Sequence, residues 1–256
     1  MTDLDPEDAS RDLLCGDWHI YQLRGGHRFS TDDILVAWLG ALSRPDARNV
    51  LDLGAGIGSV GLMTLYQLPS YTRLTMLEAQ KISHELCRKA VGTNGLTDRV
   101  RVRLGDLRDP AQIPEEEMGG YDLVTGSPPY FPLGTGVVSP HPQRAACRFE
   151  LRGDISDYCR AAERALTVDG VFAFVHAAED PRPERAIDAS GLTLLSRQDV
   201  VFRSGRNPVI SLFLVGREGH RIDRDPIVVR DETGSNTPQY QSIRRQMGAP
   251  IGVDVR

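Results

Sequence analysis

The sequence predicts an α/β protein built on a doubly wound, mostly parallel sheet. Three observations lead there. From Asn49 onward, short apolar runs that read as strands alternate with longer runs that read as helices. The first strand-to-helix turn is a glycine loop, Asp52-x-Gly54-x-Gly56-x-Gly58. The last two strand-like runs, 200–203 and 209–215, lie close enough to form an antiparallel hairpin at the end of the sheet.

Each element has its own signal. Residues 1–14 are polar, acidic and aperiodic, the pattern of a disordered leader. Residues 18–23 alternate like a strand, and Arg24-Gly25-Gly26-His27 turns the chain back. Ser30, Thr31, Asp32 and Asp33 offer N-caps ahead of the apolar run 34–42, so a helix begins there. Residues 15–47 are therefore expected as a hairpin and helix packed on the core, and 48–256 as the main body of a single domain. Within it, 49–53 reads as a buried strand and 59–68 as a helix stopped by Pro69. A second strand, 72–78, and a helix, 82–91, closed by Asn94-Gly95, follow. Strands at 100–104 and 121–125 come next, the latter running into Gly126-Ser127-Pro128-Pro129-Tyr130. Residues 132–150, rich in Pro and Gly, read as a long loop. A helix at 154–166, a strand at 171–176 and a short helix at 183–189 lead to the final hairpin.

The composition bounds the function. The 256 residues suffice for one full α/β core, and the formal net charge of -5 excludes a whole-chain basic field. The basic residues are nearly all arginine, Lys81 and Lys89 being the exceptions, which suits phosphate recognition or a GC-rich coding sequence. Four cysteines, Cys15, Cys87, Cys147 and Cys159, show no metal or disulfide spacing and read as reduced thiols, so no metal is expected. The acidic start carries no signal core and the apolar run 34–42 is too short for a bilayer, so a cytoplasmic protein off the membrane is expected.

The glycine loop lets the backbone approach a ligand, with free helix N–H groups behind it. A dinucleotide fingerprint would need Gly or Ala at 59, where the chain has Ser59; the third glycine is Gly58. Glu78 ends the second strand, where an acid can accept from two ribose hydroxyls. Asp106 and Leu107 follow the third, where a carboxylate and a backbone amide could read an adenine edge. All three features face the edge at which open α/β sheets bind ligands.

Ser127-Pro128-Pro129-Tyr130 leaves the fourth strand on that same edge. Adjacent prolines impose an extended path. The Ser127 side chain and the Pro128 carbonyl can then point at one spot, both as hydrogen-bond acceptors. Two acceptors on the hydrogens of an exocyclic amine favour a pyramidal nitrogen and aim its lone pair. Tyr130 and Phe131 offer flat faces for a base, worth about 1–3 kcal/mol per stacked base. Positioning then supplies most of the catalysis, and no general base is required.

At these residues the chain resembles class I S-adenosylmethionine-dependent amino-methyltransferases with an Asn/Asp/Ser-Pro-Pro-Tyr motif, a Rossmann-like fold. It is most similar to the bacterial family that methylates adenine N6 beside the anticodon of a valine tRNA. The resemblance runs from about residue 20 to 245 and includes Gly25 to Asp32, Leu51 to Gly58, Tyr121 to Val124, Pro128 to Phe131, Pro142-Gln143-Arg144 and Ile227 to Arg230. It implies that Asp52, Gly54, Gly56, Gly58, Glu78, Ala79, Asp106 and Leu107 hold S-adenosylmethionine, with Arg28, Ser30, Thr31 and Asp32 at its methionine end. It also implies that Ser127, Pro128, Pro129 and Tyr130 hold the amine, Ser127 touching the cofactor as well. The tRNA family usually has Asn where this chain has Ser127; serine there resembles enzymes that methylate cytosine N4.

Phe131, His141, Arg144, Arg148 and Arg152 follow the catalytic segment and could grip sugar or phosphate, which makes an RNA the expected partner of a monomer or homodimer. Arg197, Arg203, Arg206, Arg217 and Arg221 form a second basic set. The rival readings are cytosine N4 methylation, a protein glutamine methyltransferase, a small-molecule methyltransferase and a non-catalytic cofactor-binding subunit. The short stretch before the first core strand disfavours the glutamine enzyme, and the intact Ser-Pro-Pro-Tyr disfavours the non-catalytic one.

Overall fold

A computed structural model describes residues 6–250 of the chain. It opens on an antiparallel hairpin, β1 (Ala9–Cys15) and β2 (Trp18–Leu23), turned at Gly16-Asp17. This corrects the expected 1–14 leader: from Ala9 it is a strand, while residues 1–5 lie outside the described residues. The physical reason is burial at one end of a polar strand. Leu14 and Cys15 are fully buried, and Gln22 donates to the Asp12 carboxylate across the ladder. Arg24 to His27 therefore does not close the hairpin; it leads into α1 (Thr31–Ser43), where the Ser30 amide donates to the Asp33 carboxylate at 2.8 Å.

The alternating body follows as β3 (Asn49–Leu53), α2 (Ser59–Gln67), β4 (Arg73–Glu78), α3 (Lys81–Thr93), β5 (Val100–Leu104) and β6 (Tyr121–Gly126). Then come α4 (Pro142–Arg148), α5 (Ile155–Ala165), β7 (Leu166–Ala177), α6 (Arg182–Ser190), β8 (Thr193–Arg203), β9 (Ile210–Gly216), β10 (Ile227–Arg230) and α7 (Pro238–Gln246). The expected loop 132–150 thus contains a helix. It starts on a proline and is capped by His141, but seven residues are too few to show an apolar period. β10 and α7 were not legible as elements either. β10 is four residues long, and α7 buries only Tyr240, Ile243 and Arg244.

Eight strands form one sheet in the order β10-β8-β9-β7-β6-β3-β4-β5. Every neighbouring pair is parallel except those that β9 makes with β7 and β8, which is the expected antiparallel C-terminal hairpin strand. α1, α2, α3, α7 and the N-terminal hairpin cover one face around residues such as Ile34, Leu62 and Leu86. α5 and α6 cover the other, where Phe172, Phe174 and Phe213 stack at 4.8 and 4.9 Å. No helix among the described residues is long and apolar enough to cross a membrane. Strand order reverses between β3 and β6, so a crevice opens above their C-terminal ends.

Candidate active site

That crevice is a cavity of about 950 Å³. One bank is made by the ends of β3 and β4 and the start of α1. Asp52, the last but one residue of β3, is buried and accepts from the Gly61 amide at 3.0 Å and the Thr125 hydroxyl at 2.7 Å. It ties the first turn of α2 to β6, and burial pushes its carboxyl up to about 7. The glycines after it divide their tasks. All three have left-handed backbones, at φ +61°, +57° and +94°. A Cβ at Gly54 would strike the Tyr158 hydroxyl and one at Gly58 would strike Cys87 Sγ, whereas one at Gly56 would meet only open space. Gly54 and Gly56 line the cleft; Gly58 does not, and its role is to start α2.

Glu78 is buried at the end of β4. Its two carboxylate oxygens accept from the Gly56 amide at 2.7 Å and the Gln80 amide at 2.6 Å, and burial raises its pKa. Ala79, Gly105 and Leu107 continue the wall. Asp106 departs from expectation: its carboxylate turns away from the cleft onto Arg108, at 2.9 and 2.6 Å, because an arginine two residues on offers a charged fork. Arg28, Ser30 and Asp32 line the wall; the Thr31 hydroxyl faces Tyr240 in the core at 3.2 Å.

The other bank holds Ser127, Pro128, Pro129 and Tyr130, all lining the cleft. The Tyr130 hydroxyl donates to Asp32 Oδ2 at 3.0 Å, and its backbone carbonyl accepts from Arg182 at 3.1 Å. Arg182 is held by Asp180 and by Glu150, the latter at 2.6 Å. The Tyr130 ring lies 5.3 Å from that of His176, which is fully buried; desolvation lowers its pKa to about 4 and keeps it neutral. Phe131 is exposed beneath the Arg148 guanidinium at 5.4 Å. Arg144, Arg148 and Arg152 line the rim, but His141 stays off the wall, capping α4.

Several wall residues escaped sequence reasoning. Asp33 is one; burial, and then neighbouring Asp32, push its carboxyl up to about 7. Gln143 is another: almost fully buried, it accepts from the His27 amide at 2.8 Å and donates to the Ser83 hydroxyl at 3.3 Å, joining the 25–28 loop, α3 and α4 into a roof. Tyr158, Phe202, Val209 and Ile210 complete the wall. The Asp-Asp pair and the Pro-Gln-Arg motif were visible signals for the first two; the rest had none. The second basic set does not exist as a set. Arg203 and Arg206 sit at the β8–β9 turn beside the cleft, whereas Arg217 and Arg221, beyond β9, lie at the opposite sheet edge. Arg197, Arg217 and Arg221 are each paired with carboxylates, at 3.2, 2.7 and 2.8 Å.

The first bank is acidic, lined by Glu78, Asp32 and Asp33, with open space over Gly56. S-adenosylmethionine, which carries a ribose, a sulfonium and an ammonium, fits that donor and acceptor set. Comparisons with known proteins agree. The family model described as "Methyltransferase small domain" matches residues 31–136. A tRNA1(Val) (adenine(37)-N6)-methyltransferase of Histophilus somni is 23% identical over 227 residues, 88% of this chain and 92% of its own. That of Aeromonas salmonicida is 28% identical over 225 residues, 87% and 91% of the two chains. The solved structure of a protein from Agrobacterium tumefaciens, described as a predicted O-methyltransferase, superposes with a TM-score of 0.63 at 21% identity, covering 86% of this chain and 98% of that one. The wall that an acidic cofactor bank and a Ser-Pro-Pro-Tyr segment build together is thus that of an S-adenosylmethionine-dependent methyltransferase of the class I fold, close to the tRNA1(Val) adenine-N6 enzymes.

Proposed function

We propose that the protein methylates the exocyclic amine of a base in RNA, adenine N6 of a tRNA, in the cytoplasm. The observation that carries this is the exit of Ser127 to Tyr130 from β6 into the same cleft as Gly56 and Glu78. S-adenosylmethionine supplies an electrophilic methyl group on sulfur when bound. The chain's own residues bind and orient. Glu78, Gly56 and Leu107 hold the nucleoside part, and Asp32 and Asp33 face the cationic part. Ser127 Oγ and the Pro128 carbonyl accept the two amine hydrogens, and the Tyr130 ring supports the base. Preorganised acceptors of this kind act without reorganising during the reaction.

Arg144, Arg148 and Arg152 on the rim, and the tRNA substrates named for the relatives, support RNA. Ser127 favours a second reading, cytosine N4. Methyl transfer from labelled S-adenosylmethionine to total tRNA, rRNA, DNA and protein, followed by nucleoside mass spectrometry, separates them. N6-methyladenosine in tRNA is the expected product; N4-methylcytosine establishes the second reading, and label confined to protein overturns both.

A further inference from the structure

The Ser127 to Tyr130 segment cannot hold itself in place by its own amides. Pro128 and Pro129 carry no N–H, so neither can donate to a neighbouring strand. Their rings fix φ but not ψ, so the extended path needs an anchor at each end. Upstream, Gly126 closes β6, paired with Leu53 and Phe174. Downstream, the anchor is Arg182 at the start of α6. Its Nη2 donates to the Tyr130 carbonyl at 3.1 Å, and its Nη1 donates to the Glu150 carboxylate at 2.6 Å. Asp180 holds the rest of the fork, accepting from Nε at 2.9 Å and from Nη2 at 2.5 Å. The Glu150 amide donates to the Phe131 carbonyl at 3.0 Å, and the Phe131 amide donates to the Arg148 carbonyl at 3.2 Å. Two successive peptide groups, those that follow Tyr130 and Phe131, are thus clipped to the end of α4, the helix that carries Arg144 and Arg148. Arg182, Glu150 and Asp180 are themselves off the cleft lining.

We infer that Arg182 is a positioning residue for methyl transfer: by holding the Tyr130 carbonyl and Glu150 together, it fixes the exit of the Ser-Pro-Pro-Tyr segment and joins it to the arginine-bearing helix. It stands behind the wall and acts through Tyr130 rather than on either ligand. This rests on the amine reading above. A guanidinium suits the task because its planar fork presents several donors at fixed angles; a lysine keeps the charge and loses the fork. Arg217 supplies a matched control. Its side chain is equally exposed, at 31%, and it also joins a glutamate, Glu163, to main-chain carbonyls, those of Glu163 and Leu166. It does so beyond β9, away from the cleft.

Two measurements on the full chain test it. The first needs no substrate. Tyr130-Phe131 is the one Tyr-Phe pair in the sequence. With tyrosine labelled at the carbonyl carbon and phenylalanine at the amide nitrogen, a single correlation therefore reports the Tyr130 carbonyl. It should move in Arg182→Met, which removes every donor, and in Arg182→Lys, which keeps a positive charge between the two carboxylates. A resonance that neither variant moves, or that Arg217→Lys moves as far, overturns the anchor. The second is single-turnover methyl transfer at saturating S-adenosylmethionine and increasing tRNA, which separates maximal rate from affinity. Arg182→Lys should slow the maximal rate about tenfold, the scale of one hydrogen bond, with cofactor and RNA affinities held within about twofold. Arg217→Lys should leave the rate unchanged. Equal losses of rate in the two variants mark a structural role only, and a fall in RNA affinity that accounts for the lost rate marks a phosphate contact. Either overturns the inference, as does an unchanged rate in Arg182→Lys. A wild-type protein that labels no tRNA overturns the substrate reading instead, and the carbonyl resonance still decides the anchor.

Discussion

The two banks of the cleft are built on different physical terms. On the bank of Glu78 and Asp52, the acids are buried and already hydrogen-bonded. Glu78 holds the amides of Gly56 and Gln80, and Asp52 holds Gly61 and Thr125. Little there can move without breaking a buried hydrogen bond. On the substrate bank the rim is exposed. Arg148 rests over an exposed Phe131 rather than on an acid, and Leu133, Val137 and Val138 project into solvent. A small ligand with a fixed shape suits the first; a large charged strand that brings its own phosphates suits the second. The difference teaches that one wall of the cleft is fixed by buried hydrogen bonds of the fold, whereas the other presents exposed side chains whose positions no buried partner sets.

The sharpest way to break this contrast is Gly56→Asp. It puts a side chain into the cleft at φ +57° and a second negative charge beside Glu78. Calorimetry should find no cofactor binding, and near-normal affinity would end the assignment of the glycine loop. Next in size is the double change Arg144→Ala with Arg148→Ala. RNA affinity should fall while cofactor affinity holds. The slope of log affinity against log salt should shrink by about 0.7–0.9 for each phosphate that the variant no longer neutralises. An unchanged slope would move the RNA elsewhere on the molecule.

A smaller effect concerns protons. Asp33 and Asp52 sit at about 7 in the folded chain, well above the ordinary value near 4. The folded state therefore binds more protons than the unfolded one between those values. Stability of the free protein should fall as pH rises from about 4 to about 7 and level off above, in denaturant titrations across that range. A cation bound beside Asp33 reverses part of the shift, so cofactor binding near pH 7 should release a fraction of a proton. Calorimetry in buffers of different ionisation enthalpy measures it, and Asp33→Asn should diminish it; binding without buffer dependence would show that Asp33 does not face the cationic part. Smallest of all should be Arg221→Ala. Its ion pairs with Asp223 and Glu184 are substantially exposed, worth about 1 kcal/mol or less. RNA affinity should not change, and a clear loss would restore a second basic surface.

Much of this was readable before the fold was known, for reasons that are local. The alternation of strands and helices follows from hydrophobic periodicity. Gly54, Gly56 and Gly58 announce left-handed turns, Pro128 and Pro129 announce an extended exit, and Glu78 announces a strand-end acid. Each signal is carried by neighbours in sequence, so the alternating core from β3 to β9, apart from α4, together with the glycine loop, the strand-end acid and the Ser-Pro-Pro-Tyr segment, was determined by the sequence itself. Tertiary structure decided what depends on partners far along the chain. Asp106 and Asp52 look alike in sequence, yet one turns to Arg108 and the other is buried between Gly61 and Thr125. Of five arginines that read as one set, Arg203 and Arg206 fell at one sheet edge, Arg217 and Arg221 at the other, and Arg197 within β8, because β9 runs antiparallel. Gln143 reached His27 across 116 residues, and Tyr130 reached Asp32 across 98. Such pairings are set by the close packing of distant elements, which fixes side-chain directions that no local period encodes.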